Sequence, residues 1–281
     1  MKAKKISDAI IFVILCVLVV LFITPVYFVV MNSFKGKLYI SDNPFALPTA
    51  ETFSRLTNYI NGIQKTNFFG AFGWSIFITV FSVAAILLFT SMTAYYIIRV
   101  KGRVTSILYY MCVFSMIVPF QMVMFSMSKL ANLTHLNNPV GIVFLYLGFG
   151  AGQSLFMFSG FIKSIPLEIE EAAMIDGCNP LQTFFGVVMP ILKPTAITVS
   201  ILNAMWIWND YLLPFLVIGN SDKTTTLTLE LYFAKLKTGQ YGNPWELIFP
   251  AVFVTIIPII IIYILLQKWI INGVIEGAVK G

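Results

Sequence analysis

PLEIEEAAMIDGCNPLQTFFGVVMPILKP, running from Pro166 to Pro194, is the longest interval between apolar segments of this 281-residue chain that carries acidic residues at helical spacing. It reads as two short helices with a turn between them. Pro166 suits a first helical turn, where its missing N–H has no partner to lose, and Glu168, Glu170 and Glu171 suit the positive end of the helix dipole. Gly177 supplies a left-handed stop. Asn179, Pro180 and Gln182 then restart the pattern as N-cap, first residue and capping-box partner, and Leu181, Phe184, Phe185 and Val188 follow at i, i+3, i+4, i+7. Pro190 and Pro194 are expected to close the second helix. An acidic first turn beside the small Ala172 and Ala173 is shaped to be gripped: alanines allow close approach, and carboxylates offer acceptors to Arg and Lys.

Everything around this interval is mostly hydrocarbon. Hydrophobic residues make up 58% of the chain and charged residues 11%, against roughly 25% charged in soluble domains. That predicts an all-α integral membrane protein with about six transmembrane helices. The expected spans are roughly 10–30, 72–98, 105–128, 139–161, 195–218 and 247–271, within a single transmembrane domain that fills the chain. The first follows Lys2, Lys4 and Lys5 and is apolar for about twenty residues, enough to cross a bilayer core and longer than the apolar region of a cleaved signal peptide. Net charge is +6, but the cations are scattered between apolar segments, so membrane topology explains them better than nucleic acid does. Ten of the 18 Lys and Arg fall on the side shared by both termini, the Arg99–Arg103 loop and the 162–194 loop, which sets a modest positive-inside bias. Cys16, Cys112 and Cys178 show no disulfide framework and are expected to be free thiols.

Between the spans, 32–70 and 220–244 form external loops rich in turn residues. Phe45, Phe53 and Tyr59 in the first either face a partner or pack beneath the loop. Pro119 interrupts the third span, with Gln121 just beyond it; such breaks are tolerated where neighbours or a cavity satisfy the freed backbone. The glycines of the fourth span read as close helix packing. The fifth span holds Asn203, Trp206, Trp208, Asn209 and Asp210, and a carboxylate at membrane depth marks a functional candidate. Asp210 equally fits a cap or anchor at the interface, and both readings stay open. The sixth span is punctuated by Pro250 and Pro258, and 272–281 reads as a short tail.

No enzyme constellation emerges. His135 is the only histidine, in a short external loop, where a structural role is expected. No G-x-x-x-x-G-K-[ST] occurs, so phosphate binding from ATP is expected on another chain; neither a cofactor nor a metal site is expected.

The order Glu171-Ala172-Ala173, three residues, Gly177, nine residues, Val187-Val188-Met189-Pro190 resembles the EAA loop of ABC importer permeases, with Val187 and Met189 replacing the usual Ile and Leu. The wider run 165–194, Trp208-Asn209-Asp210 and the terminal Gly277–Gly281 resemble the carbohydrate-uptake branch, in particular the maltose-type second permease subunit. The resemblance implies a prokaryotic cell-membrane protein with both termini cytoplasmic, and a 162–194 loop that docks on an ABC ATPase through Glu171, Ala172, Ala173 and Gly177. Glu168, Glu170 and Asp176 join that set by position alone. It further implies a second, non-identical permease, an external sugar-binding protein and a sugar substrate. Gln121, Asn203, Trp206, Trp208, Asn209 and Asp210 suit a sugar path chemically, since rings stack on sugar faces and amides read hydroxyls; packing is the competing reading. The alternatives are the same architecture carrying another solute such as glycerol phosphate, for which no central cation appears in a span; an ion-gradient transporter, which would show repeated halves and more buried carboxylates; and a membrane scaffold, which leaves the 166–190 pattern unexplained.

Overall fold

The computed structural model describes residues 2–65, 67–219, 224–231 and 244–279. Apart from one isolated antiparallel bridge between Lys35 and Phe53, the regular structure among the described residues is helical. Among the described residues, four helices are long and apolar enough to cross a membrane, over Asp8–Ser33, Phe68–Arg99, Pro139–Ile162 and Trp245–Leu265, and the candidate spans number up to six if each of two bent pairs is one span. The chain divides into two compact units, Met1–Phe69 with Glu230–Ile260, and Gly70–Leu229 with Ile261–Gly281.

The first unit contains α1 (Lys2–Ser33), α2 (Lys37–Asp42) and α3 (Thr57–Lys65). Its loop is held by side chains that satisfy backbone carbonyls. Asn58 donates to the carbonyls of Ser33 and Lys35, Asn32 to those of Phe28 and Pro44, and the Lys35 ammonium to those of Asn43 (3.0 Å) and Pro44 (3.3 Å). Burial lowers the Lys35 pKa from the usual lysine value, and carbonyl dipoles take the place of a carboxylate partner. Of the three aromatics singled out in this loop, Tyr59 is tied inward, its hydroxyl 2.6 Å from Ser33 Oγ and its ring 5.3 Å from Phe34. Phe53 packs on Phe34 and Phe45 on Phe28, yet Phe45 remains largely exposed.

The second unit carries the core. It comprises α4 (Phe68–Arg99, from Gly70 on), α5 (Arg103–Ser115), α6 (Phe120–Leu133), α7 (Pro139–Ile162), α8 (Leu167–Ile175), α9 (Pro180–Thr183), a π-helical turn Phe184–Val188, α10 (Met189–Ile191), α11 (Lys193–Asn209) and α12 (Leu212–Val217). Ile86, Ile142, Tyr146, Phe158, Val188 and Leu192 are fully buried within it. Helix α7 starts where its sequence says it should: Asn138 accepts from the Val140 and Gly141 amides and Pro139 takes the first turn. On α7, a Cβ at Gly152 would stand 2.5 Å from the Cys112 carbonyl oxygen on α5, so only glycine permits this crossing.

The third expected span is two helices, α5 and α6, meeting at 107°. Pro119 explains the position of the break: proline offers no N–H to the turn before it and pushes Val118 towards extended backbone, and Pro119 itself is extended at ψ 136°. The fifth expected span is also interrupted, α11 ending at Asn209 and α12 beginning at Leu212. The second helix of the Pro166–Pro194 interval does not close at Pro190. It widens into the π turn just before that proline, where the Met189 amide bonds the Phe184 carbonyl, and continues to a 76° bend into α11. The last helix, α13 (Trp245–Val279), accommodates Pro250 and Pro258 and runs on through most of the expected tail. Residues 220–223 and 232–243 of the expected second external loop, and Lys280 and Gly281, lie outside the described residues. His135 sits left-handed (φ 57°) after α6, with its own amide on the Asn132 carbonyl and the Leu136 amide on the Ala131 carbonyl.

Candidate functional site

Helix α8 begins after extended Pro166 and ends in a Schellman turn: Gly177, at φ 88°, bonds the Met174 carbonyl and Cys178 bonds that of Ala173, both at 3.0 Å. The reciprocal capping box of Asn179 and Gln182 then starts α9, with bonds of 2.8 and 2.9 Å. These local signals fix the turn between the two helices. At 100° per residue, Glu168, Glu171, Ala172 and Ile175 share one face of α8, and all four are exposed, Ile175 at 86%. Asp176 and Gly177 are exposed at its end, and Met174, Leu181 and Phe185 add apolar area. The outcome is an exposed surface on which carboxylates and apolar side chains are interspersed.

Two residues of the acidic and small set turn the other way. Ala173 is buried, and Glu170 is 2% exposed. Glu170 Oε1 accepts from Arg99 Nε at 2.9 Å and from Arg99 Nη2, while its Oε2 accepts from Tyr95 Oη at 2.9 Å. Arg99 Nη2 also donates to the carbonyls of Ile162 (3.3 Å) and Ile165 (3.1 Å). Position in the sequence groups Glu170 with Glu168 and Asp176; its geometry separates it from them. Arg99 and Tyr95 were not among the expected site residues. Their signal was present as an i, i+4 pair at the last turn of an apolar run, where an arginine is costly unless paired.

The polar residues of the fifth span divide in the same manner. On α11, Leu202, Met205, Trp206 and Asn209 fall at i, i+3, i+4, i+7 and all are exposed, while Asn203 and Trp208 face inward. Asn203 donates to Ser154 Oγ on α7 at 3.1 Å and to the Val199 carbonyl, and Trp208 meets Phe72 edge to face at 6.0 Å. Trp206 lies edge to face with Tyr146 at 5.4 Å, and the Asn209 amide folds back on the Met205 carbonyl. Asp210 ends the helix. Its Oδ1 accepts from the Leu212 amide (2.9 Å) and its Oδ2 from Tyr146 Oη (3.0 Å), which is the capping geometry left open by the sequence. Gln121 is exposed on a different helix, α6. Trp206 and Asn209 are therefore brought onto one accessible stripe, and Asn203 and Trp208 are buried away from it.

No group of three or more His, Cys, Asp or Glu side chains among the described residues could hold a metal ion.

Comparison with known proteins gives this geometry a context. Residues 86–276 match the family model of the binding-protein-dependent transport system inner membrane component. The chain is 39% identical over 264 residues, 94% of each protein, to the probable starch degradation products transport system permease protein AmyC of Thermoanaerobacterium thermosulfurigenes. It is 36% identical over 99% of each protein to the multiple sugar-binding transport system permease protein MsmG of Streptococcus mutans. Among solved structures, a chain of a bacterial ABC transporter involved in import of the acidic polysaccharide alginate shares the fold, with a TM-score of 0.82 at 22% identity, over 95% of this chain and 98% of that one. With a family match spanning the helical core and two relatives aligned over nearly their whole length, the chain belongs to the binding-protein-dependent transport system inner membrane components.

Proposed function

We propose that this protein is the membrane-spanning permease subunit of an ATP-driven importer for sugars or oligosaccharides, and that its 162–194 loop couples it to a separate ATPase. The observation that carries the reading is the exposed face of α8. Glu168, Glu171, Ala172 and Ile175 stand together, exposed, on a helix whose opposite face is pinned by Glu170 and Ala173, so a surface of mixed carboxylates and apolar side chains has a held base. Such a surface suits a cleft lined by apolar residues and Arg or Lys. Closure of an ATPase pair would displace α8 and so bias the permease between two states of access. The loop and both termini then lie on the cytoplasmic side of a prokaryotic cell membrane, and a second, non-identical permease, two ATPase subunits and an external binding protein complete the assembly.

The sugar assignment follows the relatives, whose names refer to starch degradation products and multiple sugars. The chemistry of this chain agrees with a neutral solute, because α7 contains no Lys or Arg and α11 has only Lys193 at its start. Trp206 and Asn209 are the residues of the fifth span best placed to meet a sugar, as a ring face and an amide on one exposed stripe.

The test is co-purification of the intact chain from mild detergent, followed by ATPase assays with binding proteins loaded with malto-oligosaccharides or other sugars. An ATPase and a second permease in the preparation, with hydrolysis stimulated by a loaded binding protein, is the expected result. A chain that purifies alone and moves solute under an ion gradient overturns it. Glu171→Lys puts a cation in place of one of these carboxylates and is expected to remove ATP-dependent uptake while leaving membrane insertion intact; full-rate uptake by that variant would withdraw Glu171 from the docking surface.

A further inference from the structure

Helix α8 is nine residues long, too short to be stable by itself in water, and its outer face is left to solvent. Its direction must therefore be set by what holds its inner face. The structure supplies a three-residue device for that purpose. Arg99 is the last residue of α4, and its guanidinium joins three segments: the Ile162 carbonyl at the end of α7, the Ile165 carbonyl in the following turn, and the Glu170 carboxylate on α8. Tyr95, one turn earlier on α4, occupies the other carboxylate oxygen. The Tyr95 ring also lies 5.3 Å from that of Phe184, at the start of the π turn, so both helices of the loop are tied to the same end of α4.

An apolar contact would hold α8 by area and let it slide. An arginine–carboxylate pair with both oxygens occupied has one geometry, and in a site where the carboxylate is shielded from water, deviation from it leaves charge unpaired. We infer that Arg99, Tyr95 and Glu170 are positioning residues that make α8 and the inner ends of α4 and α7 move as one body, so that a displacement imposed on α8 reaches both spans undiminished. The functional use of this clamp rests on the reading of α8 as the ATPase-docking helix; the clamp itself does not.

Spin labels at Val100 and Ile169, both exposed and neither on the docking face of α8, test it in a background where Cys16, Cys112 and Cys178 are replaced by serine. The label-to-label distance is measured by pulsed electron paramagnetic resonance on the intact assembly, without nucleotide and trapped with ATP and vanadate. The expected result is one narrow distribution, unchanged between the two states. In Arg99→Lys, which keeps the charge but loses the planar fork, and in Tyr95→Phe, the distribution is expected to broaden. A shift of about 5 Å between states in the unsubstituted clamp, the size of a one-turn slip, overturns the proposal, as does a distribution that stays narrow in both variants. If no ATPase accompanies the chain, the docking reading fails on its own. The comparison of unsubstituted and variant clamps on the solubilised chain then decides for or against the clamp.

Discussion

Helices α1 and α7 are both apolar and both long enough to cross a bilayer, yet they are opposites in packing. None of the most apolar 18-residue window of α1 is buried within the chain, whereas 44% of that of α7 is, although α1 is the more hydrophobic of the two. The composition explains the inversion. Helix α1 presents a continuous surface of Ile, Val, Leu and Phe, and α7 buries Gly141, Gly150, Gly152, Ser154 and Ser159. In hydrocarbon there is no hydrophobic gain in bringing leucines together, so close backbone approach and hydrogen bonds between helices decide which surfaces meet. Within a membrane chain, then, the least greasy helices identify the core, and the few charges among them identify what the core is built to hold.

That contrast can be broken by substitution. The largest effect is expected at Arg99, where Met leaves the Glu170 carboxylate shielded and unpaired, at a cost of about 3–5 kcal/mol in thermal unfolding of the purified protein. Replacing both residues by Met should return most of the loss, and a double variant as unstable as the single one would show that the pair is not the origin. Gly152→Ala comes next. Its new methyl carbon meets a backbone oxygen of α5 at 2.5 Å, which should cost about 1–3 kcal/mol; a neutral outcome would mean that the α5–α7 crossing is slack. Val20→Ala on α1 should be the smallest, within about 0.5 kcal/mol in the same detergent assay. A loss well beyond that would place α1 in a packed environment and remove the contrast.

The same physics separates what was legible in the sequence from what was not. Apolar length, which a bilayer sets at about twenty residues per span, put helices over 72–98 and 139–161, where α4 and α7 run from Phe68 to Arg99 and from Pro139 to Ile162; α1 begins at Lys2, eight residues before the expected 10–30. The turn between α8 and α9 was legible from Gly177, Asn179, Pro180 and Gln182, since caps act over three or four residues. The direction of Glu170 was not, as its partners Arg99 and Tyr95 lie 71 and 75 residues away and nothing local distinguishes it from Glu171. Pro119 marked a break in the third span but not its 107° angle, which tertiary contacts set. Pro190 and Pro194 read as helix ends, and the chain instead absorbed Pro190 by widening the turn before it. The partner on Asp210 Oδ2, Tyr146, was not legible either, because it lies 64 residues away on α7.

His135 and Leu136 each give one backbone bond that closes α6, and the left-handed φ of His135 is a conformation that glycine and asparagine adopt more readily than histidine. The fold at that position is specified by a torsion angle and not by an imidazole. A lineage can therefore lose the only histidine of this chain without altering the end of the helix it closes, and exchange for glycine would relieve the fold while erasing the one residue that a search for catalysis would have examined first.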